Sequence, residues 1–514
     1  MARSAADMRM LAGIAAAAVA LGITQLAAVP FGPSADSRTA VGSAVIDLTP
    51  GPVKELAIQI FSTADKLFLG VAVLVVIGIV AAVTGSLETR RRPVGSIAIG
   101  LAGVAGAVAV LTRAEGSLID VIPTVIGTIC GIVVLRLLIR RVPDGQTTTD
   151  GDAPDRGRRL SLATMALIGV GAVSGVGGAL WSRRLHSVAD DRQTFVLPQP
   201  TALAPPIDPA VTPAGLTTPS FITSNADFYR IDTALSVPQL SQQEWRLKIH
   251  GMVDREMTFS FDDLRDVEVI QKVATLTCVS NPVGGDLISN ATWTGYRVRD
   301  LLAKVGIHSD ADMVLSTSID GFTAGTPVEA LTDGRDAMLA ISMNGQPLPV
   351  EHGYPARLVV PGLYGYVSAT KWVVDLELTR FDRAKAYWTK LGWSERGPVK
   401  TESRIDVPRS DQEVPVGATT FGGVAWAQIR GIRAVEVRID GPAGQGIWQP
   451  AQLGASYSND TWRLWSFPWR ATSAGDYTIT VRATDNTGVV QTENTADPVP
   501  DGATGWHSLG FTVK

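Results

Sequence analysis

Cysteine is scarce in this chain, which makes each thiol informative. There are two, Cys130 and Cys278, among 514 residues. Structural zinc sites and cysteine-ligated iron–sulfur clusters need several thiolates, so both are excluded, as is a disulfide framework. Cys130 lies in the apolar run Thr128-Ile-Cys-Gly-Ile-Val-Val134, where the ordinary role is that of a small buried apolar side chain. Cys278 ends Val273-Ala-Thr-Leu-Thr-Cys-Val-Ser-Asn281, a strand-like run that breaks at Pro282, Gly284 and Gly285. A thiol where a strand gives way to a loop is placed to face a cleft. It could equally be a buried structural cysteine, or a nucleophile served by a histidine and an orienting Asn or Asp. Periodicity alone leaves these open. The five histidines are His186, His250, His308, His352 and His507. None falls in a long apolar run, so bis-histidine haem ligation inside a bilayer has no ligands here.

The elements that must position these groups fall into contrasting parts. Up to about Trp181 the chain is Ala, Val, Leu, Ile and Gly; beyond it come most of the tryptophans and charges. Five apolar stretches, near 9–29, 66–85, 94–113, 118–139 and 160–181, are long enough to cross a hydrocarbon core of roughly 30 Å. The first also fits a signal peptide, with Arg3 and Arg9 ahead of it. Arg3 and Arg9, Arg90 to Arg92, and Arg140, Arg141, Arg156, Arg158 and Arg159 alternate with loops holding only Arg38, Lys54, Lys66 and Arg113. That bias puts the N-terminus in the cytoplasm and everything after the fifth span outside it, although Arg183 and Arg184 oppose it. Arg158-Arg159 before a mildly apolar helix fits a twin-arginine export signal, or simply a helix anchor. The net charge of −4 and the absence of a dense basic tract exclude nucleic acid as a partner.

Residues 1–184 therefore read as an all-α transmembrane bundle, and 185–220, with seven prolines from Pro198 to Pro219, as a linker. Residues 221–398 mix short strands and helices without βαβ alternation, which favours α+β. Ser260-Phe-Asp-Asp263 fits a capping box opening one helix, and Val298–Val305 reads as another, closed by Gly306. From 399 to 514 the period becomes two: Val435, Val437 and Ile439, then Tyr477, Ile479, Val481 and Ala483 before an Asp485–Gly488 turn. That pattern predicts an antiparallel, immunoglobulin-like β-sandwich.

The Cys278 segment, followed by Ala291-Thr-Trp-Thr-Gly-Tyr-Arg-Val-Arg-Asp-Leu-Leu302, resembles the sulfite oxidase family around its molybdenum-ligating cysteine. The resemblance continues through Met343–Gly362 to Lys371-Trp372, takes in Asn225–Arg230 upstream, and extends to Thr461–Trp465 and Gly502–Ser508, which look like the family's dimerisation domain. It covers residues 221–514. It implies a molybdenum–molybdopterin cofactor, with no haem or iron–sulfur group in the chain, and Cys278 as the metal ligand. A soft thiolate suits that metal, and the pterin dithiolene brings the remaining sulfurs. By the same resemblance His352, Arg357, Ser368, Thr370 and Lys371 grip the cofactor, arginine matching phosphate bidentately. Asn225, Phe228, Tyr229 and Ser318 line it or bond to it.

Family enzymes gather arginines and a tyrosine over the metal, and Arg230 matches one of those arginines. The chain departs elsewhere. Asn281-Pro282-Val283 replaces an Asn-Arg-Arg, and Phe322 stands at the active-site tyrosine, removing much of the anion recognition. The resemblance implies two-electron oxygen-atom transfer on a small sulfur or nitrogen compound, with electrons passing to an external carrier. The apolar spans and the arginine bias make the chain a multi-pass plasma-membrane protein with extracytoplasmic catalytic and β-domains, and the resemblance implies a homodimer. Reduction of S-oxides, including protein methionine sulfoxide, is a competing activity. A membrane-tethered binding or scaffold protein without activity is a competing class, for which Cys278 has no use.

Overall fold

The computed structural model describes residues 5–50, 53, 65–113, 116–142, 153–410 and 412–514. Among the basic residues counted above, Arg3, Lys54 and the side chains of Lys66, Arg156 and Arg158 lie outside that description. The chain divides into two compact units, Met1–Ser187 with Ala234–Gln239, and Val188–Thr233 with Leu240–Lys514.

The first unit is helical. Among the described residues five helices are long and apolar enough to cross a membrane: Ala5–Phe31, Gly70–Leu87, Val94–Leu111, Ile119–Arg141 and Arg159–Thr194, the last running into the second unit. Their apolar side chains face outward, as with Val76, Ile79, Leu101, Val173 and Leu180. Small residues face inward and let backbones approach. A Cβ on Gly22 would lie 2.1 Å from the Gly171 carbonyl oxygen, so that crossing admits glycine alone. A further helix, Ser37–Leu48, was not apparent from hydropathy; Asp36 caps it by accepting from the Arg38 and Thr39 amides at 3.0 and 3.3 Å. Glu88 is wholly buried and accepts from the Gly95 and Ser96 amides at 2.8 and 3.2 Å, capping Val94–Leu111. Arg136 lies 3.4 Å from the same carboxylate.

Among the described residues the second unit holds four sheets. One is mixed, in the order Met257–Phe259, Leu247–Gly251, Val373–Thr379, Met313–Ser318, Thr323–Pro327. Another is antiparallel: Val269–Thr277, Ile288–Arg297, Met338–Met343, Gln346–Pro347, with Arg357–Val359 also pairing with Met338–Met343. Val269–Thr277 is its edge strand, rich in the β-branched residues that favour extended backbone. Two more sheets follow from Glu402 onward, and Ile405, Phe421, Val437, Trp465, Val481 and Phe511 from both form a single core.

Two expectations change. The prolines after Pro198 leave only a single 3-10 turn, Pro209–Val211, among the described residues of 195–220, yet the segment is no free linker. Val211, Leu216 and Phe221 are buried in the core, the Thr201 amide donates to the Val269 carbonyl at 2.9 Å, and the Ala455 amide to the Ala210 carbonyl at 2.7 Å. A proline-rich segment keeps its carbonyls and apolar side chains, and these dock it. Ser260 and Asp263 do form the reciprocal cap, Ser260 Oγ donating to Asp263 at 2.6 Å, but turns follow instead of a helix. Only five residues separate Asp263 from the strand at Val269, too few to repay helix nucleation. Val298–Val305 is helical and Gly306 closes it with φ +71°.

Candidate active site

Val269–Thr277 delivers Cys278 to the start of a tight loop. The Cys278 amide donates to the Leu287 carbonyl at 2.9 Å, and Asn281 Oδ1 accepts from the Leu287 amide at 2.9 Å, so the loop closes on itself. Cys278 is half-buried and free. Burial pushes its thiol pKa up, while hydrogen bonds from the Ser280 main chain and side chain pull it down. Tyr229 and Tyr364 both sense this thiol. Burial, chiefly, holds both phenols well above their ordinary range.

A cationic cluster stands beside it. Arg357 is 5% exposed and donates only to main-chain oxygens, of His352 at 3.1 Å and of Leu358 and Ala369 at 3.4 Å. Among the described residues no carboxylate pairs with it, and its guanidinium lies 5.3 Å from the Trp293 ring centroid. Burial pushes its pKa down to about 10. Lys371, also buried, donates to Asp232 at 2.8 Å and to the Glu351 carbonyl at 3.1 Å; burial lowers it to about 8 against the pull of Asp232. Arg230 reaches the same Asp232 at 2.8 Å and stays 38% exposed. His352 is driven down to about 3 by burial and by Arg357 and Lys371, so its ring is neutral; it is hydrogen-bonded to the Asn225 main chain. Phe228 bridges the group, 5.4 Å from Tyr229 and 5.5 Å from His352. Gly353, at φ +111°, brings the parts together: a Cβ there would lie 3.0 Å from that of Arg357 and 3.1 Å from that of Lys371.

The structure thus gathers Cys278, Tyr229, Phe228, His352, Arg357, Lys371, Arg230 and Asn225. Two other candidates, Ser368 and Thr370, hold the frame. Ser368 Oγ donates to the Tyr364 carbonyl at 2.9 Å, and the Thr370 and Ser316 hydroxyls lie 2.7 Å apart, both fully buried. Asn225 Nδ2 donates to the Met343 carbonyl at 3.4 Å and its Oδ1 accepts from Asn344 at 2.8 Å. Ser318 Oγ is buried without a hydrogen-bond partner, on the strand register opposite Val373. Phe322 lies against Tyr387, 5.9 Å between centroids. Asp232, Tyr364 and Trp293 were not singled out from the sequence. Asp232 had a signal, since Arg230-Ile-Asp232 offers an ion pair two residues apart; the other two read as ordinary core aromatics.

These residues fit an anionic, sulfur-bearing pterin cofactor. An uncompensated buried guanidinium, a second buried cation and an orphan hydroxyl ask for oxygen-rich anionic partners, and a free thiol asks for a soft metal. Comparison with known proteins agrees. Residues 234–388 match the oxidoreductase molybdopterin binding domain. Human mitochondrial sulfite oxidase is 29% identical over 300 residues, covering 49% of this chain and 54% of that protein. Chicken sulfite oxidase is 27% identical over 331 residues, 55% of this chain and 71% of its own. An uncharacterised oxidoreductase, YuiH, of Bacillus subtilis (strain 168) is 31% identical over 154 residues, 30% of this chain and 74% of that protein. The chain spans about half the length of the mammalian relatives it matches. The solved sulfane dehydrogenase SoxCD of Paracoccus pantotrophus shares the fold, with a TM-score of 0.50 at 24% identity over 57% of this chain and 81% of that one. The chain belongs to the sulfite oxidase-type family of molybdopterin-dependent oxidoreductases.

Proposed function

We propose that this chain is a membrane-anchored enzyme catalysing two-electron oxygen-atom transfer on a small sulfur or nitrogen compound, with its catalytic region outside the cytoplasm. The observation that carries the reading is Arg357, a buried guanidinium bonded only to carbonyls, set with Lys371 and His352 near the Cys278 loop. The molybdenum–molybdopterin group supplies the two-electron chemistry when bound. Cys278 is its protein ligand in this reading, and the Ser280 hydrogen bonds favour the thiolate that ligation needs. Arg357 holds the pterin phosphate through its planar fork. His352 stays neutral, and its bond to the Asn225 main chain fixes the ring so that it can exchange a hydrogen bond without adding charge. Lys371 is shared between the cofactor and Asp232, and Arg230, the exposed member of the cluster, meets the substrate as it enters.

Substrate choice follows from two losses. Phe322 has no hydroxyl to offer, and Pro282-Val283 brings no guanidinium. The site therefore holds a fully charged small oxyanion less tightly than a family member with the complete set. Electrons leave to an external carrier, and the C-terminal β-region, an immunoglobulin-like sandwich in this reading, is where a second copy of the chain docks. Support for the anchor comes from the five apolar helices and from Arg90, which donates to the Arg140 carbonyl at 2.6 Å, bringing two arginine-bearing loops to one end of the helical unit. The Arg158-Arg159 pair is read as an export signal for a domain loaded with cofactor before crossing.

Metal analysis tests the central assignment. Protein from a host that makes the cofactor should hold about one molybdenum per chain, a single thiolate serving a single centre. Cys278→Ser should lose the metal and all turnover while its circular dichroism stays that of the wild type. Metal-free wild-type protein from such a host would refute the assignment.

A further inference from the structure

The strand that carries Cys278 sits at the edge of its sheet, so its outward backbone groups need partners from elsewhere. They come from two sources. Toward the start, the Thr201 amide donates to the Val269 carbonyl and the Gln271 amide to the Ala202 carbonyl, at 2.9 and 2.8 Å. Nearer the cysteine the Thr275 amide and carbonyl find their partners in the C-terminal β-region. The Thr275 amide donates to the Asp460 carbonyl at 3.0 Å, and the Trp462 amide donates to Thr275 Oγ1 at 2.8 Å. Gln428 Nε2 donates to the Thr275 carbonyl at 3.1 Å and to Thr277 Oγ1 at 3.4 Å, one residue before the thiol.

Beyond Cys278 the same region takes hold of the loop. Arg404, fixed by Asp406 at 2.8 Å, donates to the Gly285 carbonyl at 3.0 Å. Gly284, at φ +77°, lies against the His507 ring so closely that a Cβ would come within 2.3 Å of it. His507 is itself anchored, its Nδ1 accepting from the Ile405 amide at 3.0 Å. Burial and Arg404 keep this imidazole neutral, as an acceptor must be. The two-residue departure from the family pattern, Pro282-Val283, lies inside this gripped loop, and Val283 touches the neighbourhood of Gly505.

We propose that Gln428, Arg404 and His507 are positioning residues: they clamp the Cys278 segment from both sides and set the direction in which the thiol points. The β-region then serves the site within its own chain. The proposal rests on the reading of Cys278 as metal ligand only for its catalytic consequence, since the clamp is geometric.

The test uses the full-length chain in detergent. Iodoacetamide alkylation of Cys278 is followed by peptide mass spectrometry in cofactor-free protein, beside molybdenum content and the thermal midpoint. Arg404→Met and Gln428→Leu should each speed alkylation, and lower metal retention, by about tenfold, the scale of outer-shell effects on metal sites. Their thermal midpoints should stay within a few degrees of wild type, and Arg404→Lys should recover part of the loss. Should a variant fail to fold, Gly284→Ala serves instead: a Cβ there meets the His507 ring at 2.3 Å on a backbone at φ +77°, so it should push the segment out of the clamp and speed alkylation, and an unchanged rate in folded Gly284→Ala would overturn the clamp. Wild-type alkylation rates in folded Arg404→Met and Gln428→Leu would overturn the clamp. Faster alkylation in these variants, with full molybdenum in Cys278→Ser, would keep the clamp and discard the ligand assignment.

Discussion

Burying a guanidinium away from any carboxylate opposes folding, and Arg357 is buried that way, its charge answered by three carbonyls. Such a residue serves a partner that arrives later. Arg357→Met should leave the thermal midpoint of the cofactor-free chain unchanged or raised, yet cut molybdenum retention at least tenfold, as losing a bidentate phosphate contact would. Differential scanning fluorimetry and metal analysis read the two effects separately. Two other buried groups give opposite pH signs. His352 has a folded pKa of about 3, below its unfolded value, so its contribution is present above pH 6.5 and is lost as pH falls toward 3. Glu402, 5% exposed with Oε1 unpartnered, is raised by burial to about 8, so its contribution is full below 4.5 and lost as pH rises through 8. Glu402→Gln should therefore unfold at higher denaturant than wild type at pH 9, by about 1–3 kcal/mol, with the gap closing toward pH 4.5. An equal gap at both pH values would show that Glu402 does not titrate in this window.

At the scale of elements, the ends of helices and the edges of sheets are where backbone groups go unanswered, and this chain answers them with side chains from outside the element. Glu88 satisfies two amides and the Ser96 hydroxyl at the start of Val94–Leu111. Glu88→Ala leaves those donors buried and removes the partner of Arg136, so it should cost about 2–4 kcal/mol in detergent unfolding experiments. Glu88→Gln should recover part of this, because its carbonyl still accepts. The helix itself was legible as an apolar run. Its cap was not, because Glu88 precedes the run by six residues and reads as an ordinary loop acid. The Ser37–Leu48 helix escaped for the opposite reason: its composition is too mixed for hydropathy, and only the Asp36 cap betrays it. The Ser260 cap shows the limit of local signals, being fully formed with no helix to follow.

For the whole molecule, single cysteines placed at Arg91 and at Gln193 in a Cys130→Ser, Cys278→Ser background should label from opposite sides of the membrane in intact cells, Gln193 from outside. Labelling of both from outside would break the proposed topology. The sequence by itself determined the kinds of segment: helices from apolar length, strands from alternation, and a lone thiol that no cysteine cluster explains. Those signals are local, since periodicity and composition act over one element at a time. Tertiary structure alone decided the rest. It brought Asn225, Phe228 and Tyr229 to His352 and Arg357, more than a hundred residues on, left Arg357 without a carboxylate among the described residues, and turned a proline-rich stretch into a strap. It also made a distant β-region the holder of the Cys278 loop. The reason is physical: an edge strand and a buried charge state what they lack, but which part of the chain supplies it depends on the packing of the whole.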